Sequence, residues 1–196
     1  MRRRNLFKLF TDAGCVFVAD KEGQRGMIRA QERHRNLPGH SWKDTLGFKL
    51  IFLNLRIFRA IYGFIKKKTL RRIAKKSNRV SFLREIESRA DIILWRSGLV
   101  PNVWKARQLI NHGHVNKNKV KVLHAGTILS PGDILEIGSK YRSSQKYPLT
   151  RKIFNKKPEH LEIDYASYRT IYLFHPNKFW FPGEFDYDYV WKGLVV

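Results

Sequence analysis

Between Arg89 and Ile137 the chain reads RADIILWRSGLVPNVWKARQLINHGHVNKNKVKVLHAGTILSPGDILEI, and the punctuation of that stretch leaves little choice of fold. Ile86, Ala90, Ile93 and Leu94 recur at helical spacing and can cover a core. Arg89 and Arg96 stand seven residues apart, two turns of helix, so the spacing predicts that both project from one solvent-facing side. After Pro101, Asn102 is placed to cap a second helix in which Trp104, Ala106, Leu109 and Ile110 are apolar and Lys105, Arg107, Gln108 and His112 polar. Gly113 can end that helix. Val115, Val120 and Val122 suggest strand, and Pro131-Gly132-Asp133 turns the chain into the alternating Ile134, Leu135, Glu136 and Ile137. The expected unit is two helices packed on a small antiparallel sheet, an α+β module with regularly placed cations.

Charge decides what such a module meets. The chain of 196 residues carries 39 Lys and Arg against 16 Asp and Glu, a formal charge of +23, which calls for a polyanion. The excess is concentrated upstream: from Lys49 to Arg84 there are 12 basic residues and no acid. Within that run, LGFKLIFLNLRIFRAIYGFIKKKTLRRIAKKS can form amphipathic helices with Leu50, Leu53, Ile57, Ile61 and Ile65 near one face. Arg56, Arg59, Lys66, Lys67, Arg71 and Arg72 fall elsewhere and can neutralise phosphates. Stable membrane insertion is not expected, because Lys49 and Arg56 interrupt an apolar stretch shorter than the roughly 20 residues a span needs. A helix lying on anionic lipid satisfies the same charge pattern.

No enzyme site assembles. Cys15 is the single cysteine, there is no phosphate-cradling glycine loop, and no carboxylate pair stands in a setting that would part its pKa values. His112 and His114 flank Gly113 without further metal-ligand companions, so neither a metal nor a cofactor is expected. Trp95, Trp104 and the run Phe179 to Phe181 fit packing better than base stacking. Composition divides the chain into a basic arm at 1–40, a helical region at 41–80, the module at 81–137 and a tail at 138–196, with Gly138 to Leu149 turn-rich enough for a linker or an RNA-contacting loop. The arginines of MRRRNLFKLF resemble a mitochondrial targeting peptide in charge and equally an RNA-binding arm.

The residues of the module also carry a resemblance. The pattern R-x-D-x-x-x-x-R-x-G at Arg89, Asp91, Arg96 and Gly98, then Ala106-Arg107-Gln108-Leu109-Ile110, His112-Gly113-His114-Val115 and Pro131-Gly132-Asp133, resembles the RNA-binding domain named after small-subunit ribosomal protein S-four. Upstream, Pro38-Gly39-His40, Leu46 to Leu50 and Arg59 to Gly63 are similar to segments of the ribosomal family outside the shared module; downstream, Pro158 to Asp164 is similar to its P-x-x-L-E-V-D segment. The likeness runs from about Pro38 to Asp164 and is to the ribosomal family rather than to enzymes that borrow the module.

That resemblance implies a mostly helical domain built from residues 41–80 and 138–196, with the S-four-type module at 81–137 inserted into it. It implies a structural component of the small ribosomal subunit that binds small-subunit rRNA early in assembly of the body. Its neighbours would be ribosomal proteins of the S-three and S-five types, near the place where mRNA enters. The RNA-facing residues it implies in the module are Arg89, Arg96, Lys105, Arg107, Gln108, His112, Lys117, Lys119 and Lys121, with Arg107 able instead to brace the module's own acids. Val103 replaces a usual basic residue, Lys105 stands where the family often has an acid, and Lys119 follows Asn118 where Asn-Gly is common. The zinc-holding cysteine cluster of some bacterial members is missing. An organelle is thereby favoured, mitochondrion ahead of plastid. The rival functions are a free-standing RNA chaperone or stalled-ribosome binder and an anionic-membrane-bound basic protein.

Overall fold

In a computed structural model of the chain, residues 47–138, 158–179, 181 and 185–195 are described. The basic arm at 1–40 with Cys15, the segment Pro38-Gly39-His40, the linker residues 139–149 and Trp180 lie outside them. The chain divides into two units, one ending at Arg79 and resumed from 180 onward, the other spanning Val80 to Phe179.

In the first unit, helix α1 (Gly47–Ile61) buries Leu55, Ile57, Phe58, Ala60 and Ile61. It stops where Gly63 and Phe64 both take positive φ, and Arg59 Nε seals the break by donating to the Ile65 carbonyl at 3.0 Å. Helix α2 (Lys67–Ala74) then buries Leu70, Ile73 and Ala74. It has no acid in its first turn and no side-chain cap, and eight residues alone make a marginal helix. Tertiary packing supplies what propensity lacks: the closing helix α6 (Tyr187–Val195) packs against both α1 and α2. Gly193 permits the close approach, since a Cβ there would lie 2.6 Å from Ile51 Cγ2. The Asp186 amide donates to Asn54 Oδ1 at 2.7 Å, and Phe58, Tyr62, Phe181 and Phe185 form a chain of ring contacts beside it.

The second unit holds α3 from Val80 onward (the helix spans Arg79–Glu87), α4 (Ala90–Arg96), α5 (Val103–Asn111) and all five strands. Strands β1 (Val115–Lys117), β2 (Val120–Lys121), β3 (Ile134–Ile137), β4 (Leu161–Asp164) and β5 (Arg169–Tyr172) form one antiparallel sheet in the order β2-β1-β3-β5-β4. Helices α4 and α5 pack together, with Ile92, Ile93, Leu94, Leu109 and Ile110 buried, and the sheet buries Val115, Leu135, Ile137, Leu161, Thr170 and Tyr172. Asn102 caps α5 by accepting from the Lys105 amide at 2.8 Å, and Gly113 ends it at φ +70°.

One boundary departs from the sequence reading. The resemblance places residues 138–196 together in the helical domain, whereas the β4–β5 hairpin pairs with β3, placing Ile134 opposite Ile171 and Leu135 opposite Thr170. The reason is local. β3 pairs with β1 on one side only, and the alternation of exposed Arg169, buried Thr170 and buried Tyr172 gives β5 an apolar face to add to the same core.

The turn joining β1 and β2 keeps its shape without the expected glycine. Asn118 and Lys119 both sit at positive φ, +48° and +70°, the combination a two-residue hairpin turn of this twist requires. Asn118 is held there from both ends of its amide, donating to Asp133 Oδ1 at 2.8 Å and accepting from the Ile134 amide at 2.9 Å.

Candidate nucleic-acid interface

The start of α4 organises the module's cations. Arg89 precedes the helix in extended conformation, so it is the N-cap position and not part of the helical face. Asp91 follows in the first turn with its side chain completely buried, and its carboxylate accepts from Arg89 Nε and Nη2, both at 3.0 Å, and from Arg107 Nε of α5 at 2.7 Å. Backbone bonds from Ala90 N to Thr127 O and Asp91 N to Ala125 O clamp the following loop alongside. Arg89 and Arg107 keep 13% and 22% of their side chains exposed.

Arg96 corrects the expectation that it and Arg89 share an RNA-facing side. Its side chain is 5% exposed, and its guanidinium donates through Nε and Nη2 to the two oxygens of the buried Glu87 at 3.0 and 2.6 Å and lies 4.9 Å from the Trp95 ring centroid. The seven-residue spacing misled because one member lies outside the helix and the other has an acid waiting in the core. In this arrangement the Arg96 side chain faces the core, not solvent.

The remaining module residues separate by exposure. Gln108 is exposed on α5 and His112 at its C-cap, and Lys105 Nζ donates to Gln108 Oε1 at 3.3 Å. Lys119 and Lys121 are exposed at the β1–β2 hairpin, whereas Lys117 pairs with Asp133 at 2.7 Å. Burial alone would raise the Asp133 pKa, but hydrogen bonds from Lys117, the Ser130 amide and Asn118 outweigh it and hold the carboxyl below its ordinary range. Lys117 thus serves the turn. Val103, where the family usually has a cation, is buried.

In the first unit the cations stand open. Lys66, Lys67, Arg71 and Arg72 are exposed, and so are Lys68, Lys75 and Lys76, which complete the same display. None of the seven has an ion-pair partner among the described residues. The basic run KKKTLRRIAKK already held that signal: apolar Leu70, Ile73 and Ala74 define one face, and every cation falls off it. Arg56 and Arg59 are half-buried instead, on the flank of a helix that uses most of its circumference for packing.

Among the described residues no three His, Cys, Asp or Glu are grouped to hold a metal ion, and no helix is long and apolar enough to cross a membrane.

Comparison with known proteins matches these features. A family model described as the S4 domain covers residues 88–135, the two helices and the start of β3. A protein named small ribosomal subunit protein uS4m from Marchantia polymorpha is 31% identical over 74% of this chain and 79% of its own length. Proteins named small ribosomal subunit protein uS4 from Wolbachia sp. subsp. Brugia malayi and Pseudothermotoga lettingae are 32% and 33% identical, the first over 84% of both chains and the second over 62% of both. A likeness confined to residues 88–135 would leave the parent protein open, but one that spans 84% of both chains takes in the helical flanks as well, and the chain belongs to the small ribosomal subunit protein uS4 family.

Proposed function

We propose that this protein is a built-in structural component of the small subunit of the mitochondrial ribosome, one that binds small-subunit rRNA early and helps organise the subunit body. Family membership supports the ribosomal role, and the relative whose name carries the mitochondrial suffix supports the compartment. The observation that carries the reading is α2 and the turn after it, which present Lys67, Lys68, Arg71, Arg72, Lys75 and Lys76 to solvent with no acid among them. Such a surface gains most from phosphates crowded at a junction of RNA helices, where each neutralised charge releases counterions. The module adds shape: a rigid face of α5, the loop after β2 and the β1–β2 hairpin recognises backbone geometry more than base identity. The mechanism is binding without turnover. Ribosomal proteins of the S-three and S-five types are the proposed neighbours, close to where mRNA enters.

Sedimentation of mitochondrial lysate through a high-salt gradient, with and without nuclease, tests this. The chain should travel with the small subunit after the salt wash and move to the top only when rRNA is digested. Release by salt alone would overturn the assignment and favour a loosely bound RNA chaperone, or, if the released protein floats with lipid, an anionic-membrane protein.

A further inference from the structure

One carboxylate in the module faces two guanidiniums. Asp91 accepts from Arg89 and from Arg107, so the trio retains one net positive charge. Asp91 is 0% exposed and cannot meet a ligand, while both arginines reach the surface. Arg89 engages both carboxylate oxygens through Nε and Nη2, and its Nη1 lies against Gly126, where even a Cβ would come within 3.2 Å. Two planar donor groups from different elements are therefore brought to one place by a shared acceptor and backed by the loop at 124–127. An arginine held this way loses little further freedom when it grips a phosphate, unlike one on a swinging side chain.

We propose that Asp91 is a positioning residue that holds Arg89 and Arg107 as a clamp for a single backbone phosphate of the bound RNA. The proposal rests on the rRNA-binding reading above and deepens it: the module's phosphate contact is made by pre-set guanidiniums, with the selectivity of a fixed geometry. Its signature is an inverted sign. Asp91→Asn raises the net charge by one, which on attraction alone would tighten RNA binding; loss of the clamp loosens it instead.

The experiment uses the full chain, a labelled transcript of mitochondrial small-subunit rRNA, and unlabelled tRNA as competitor, with anisotropy titrations across a KCl series and a circular-dichroism melt of each variant. Wild type should prefer the rRNA; equal affinity for both RNAs overturns the rRNA reading and the clamp with it. With a selective wild type, Asp91→Asn should bind about 10-fold more weakly, with a slope of log K against log salt shallower by about one, as for the loss of one phosphate contact. Arg89→Lys and Arg107→Lys keep the charge and a partner for Asp91 but lose the planar fork, and should each weaken binding about three- to fivefold without that change of slope. If Asp91→Asn melts below the assay temperature, the two lysine variants decide. A folded Asp91→Asn, or lysine variants, binding as well as the selective wild type would overturn the clamp while leaving the rRNA reading intact.

Discussion

Helix α2 and the start of α4 are both rich in cations and use them in opposite ways. On α2 and the turn that ends it, the side chains of Lys67, Lys68, Arg71, Arg72, Lys75 and Lys76 stand in water with no described carboxylate beside them. Around α4, Arg89, Arg96 and Arg107 are each tied to a buried acid. The first arrangement stores affinity, because every cation can replace a counterion on RNA; the second stores geometry, because a guanidinium paired in a poorly solvated place is fixed in direction. A count of basic residues does not distinguish these roles. What distinguishes them is whether an acid lies within reach in the folded chain.

The largest effect should come from the most buried cation. Arg96→Ala strands Glu87 in the core and should cost about 3–5 kcal/mol of unfolding free energy, read by urea titration, with RNA affinity falling only as the module unfolds. If instead the variant folds normally and binds RNA weakly, Arg96 is an RNA contact and the contrast between the two regions collapses.

The reverse profile is expected on α2. A combined Lys67→Ala, Arg71→Ala and Lys75→Ala variant should keep unfolding free energy within about 0.5 kcal/mol. It should still lose salt dependence, the slope of log K against log salt dropping by about 0.7–0.9 for each phosphate contact removed. An unchanged slope would mean that this face meets something other than nucleic acid.

A smaller gain should follow at the β1–β2 turn, where Lys119 holds φ +70°. Lys119→Gly should stabilise the second unit by up to about 1 kcal/mol, through relief of the left-handed conformation. A matching loss of RNA affinity would show that the exposed lysine was kept there for its charge.

The smallest effect is on acid sensitivity. Burial holds the His160 pKa below the ordinary histidine value, with the charge of Arg96 pushing the same way and Glu87 and Glu159 opposing. Its Nε2 has no hydrogen-bond partner among the described residues. A folded pKa below the unfolded one means that the stabilisation is complete above the unfolded value, about 6.5, and is lost as pH falls through it toward the folded value. Melting temperature should therefore decline between pH 7.5 and 5.5, and His160→Gln should flatten that decline. Asp133, also depressed, acts in the same direction at lower pH, its contribution present above the usual carboxylate value and lost on acidification through the folded one.

Much of the module was legible without coordinates, and for identifiable reasons. The Asn102 cap, the Gly113 stop, the apolar rows of α5 and the turn at Pro131 to Asp133 are local signals, set by backbone sterics and short-range hydrogen bonds that travel with the residues themselves. The same holds for the amphipathic division of α2 and for the family motifs. Two readings differ from the structure because they depend on partners in other elements, which local patterns do not register. The resemblance places the tail as a whole in the helical domain, yet β4 and β5 extend the module's sheet. The spacing makes Arg96 an outward cation, yet Glu87 claims it.

The amino-acid sequence by itself therefore determined the element types of the module and the excess of positive charge, since periodicity, capping and net charge are properties of neighbouring residues or of simple sums, and its motifs carried the likeness to the family; the closing stretch from Phe185, which that likeness suggests as a strand, is the helix α6. Only the tertiary structure decided which strand completes the sheet, which arginines are buried against acids and which stand in water, and that one carboxylate orients two guanidiniums. Those outcomes depend on how separate elements pack, where burial removes water and makes a single misplaced charge costly enough to dictate where its partner must lie.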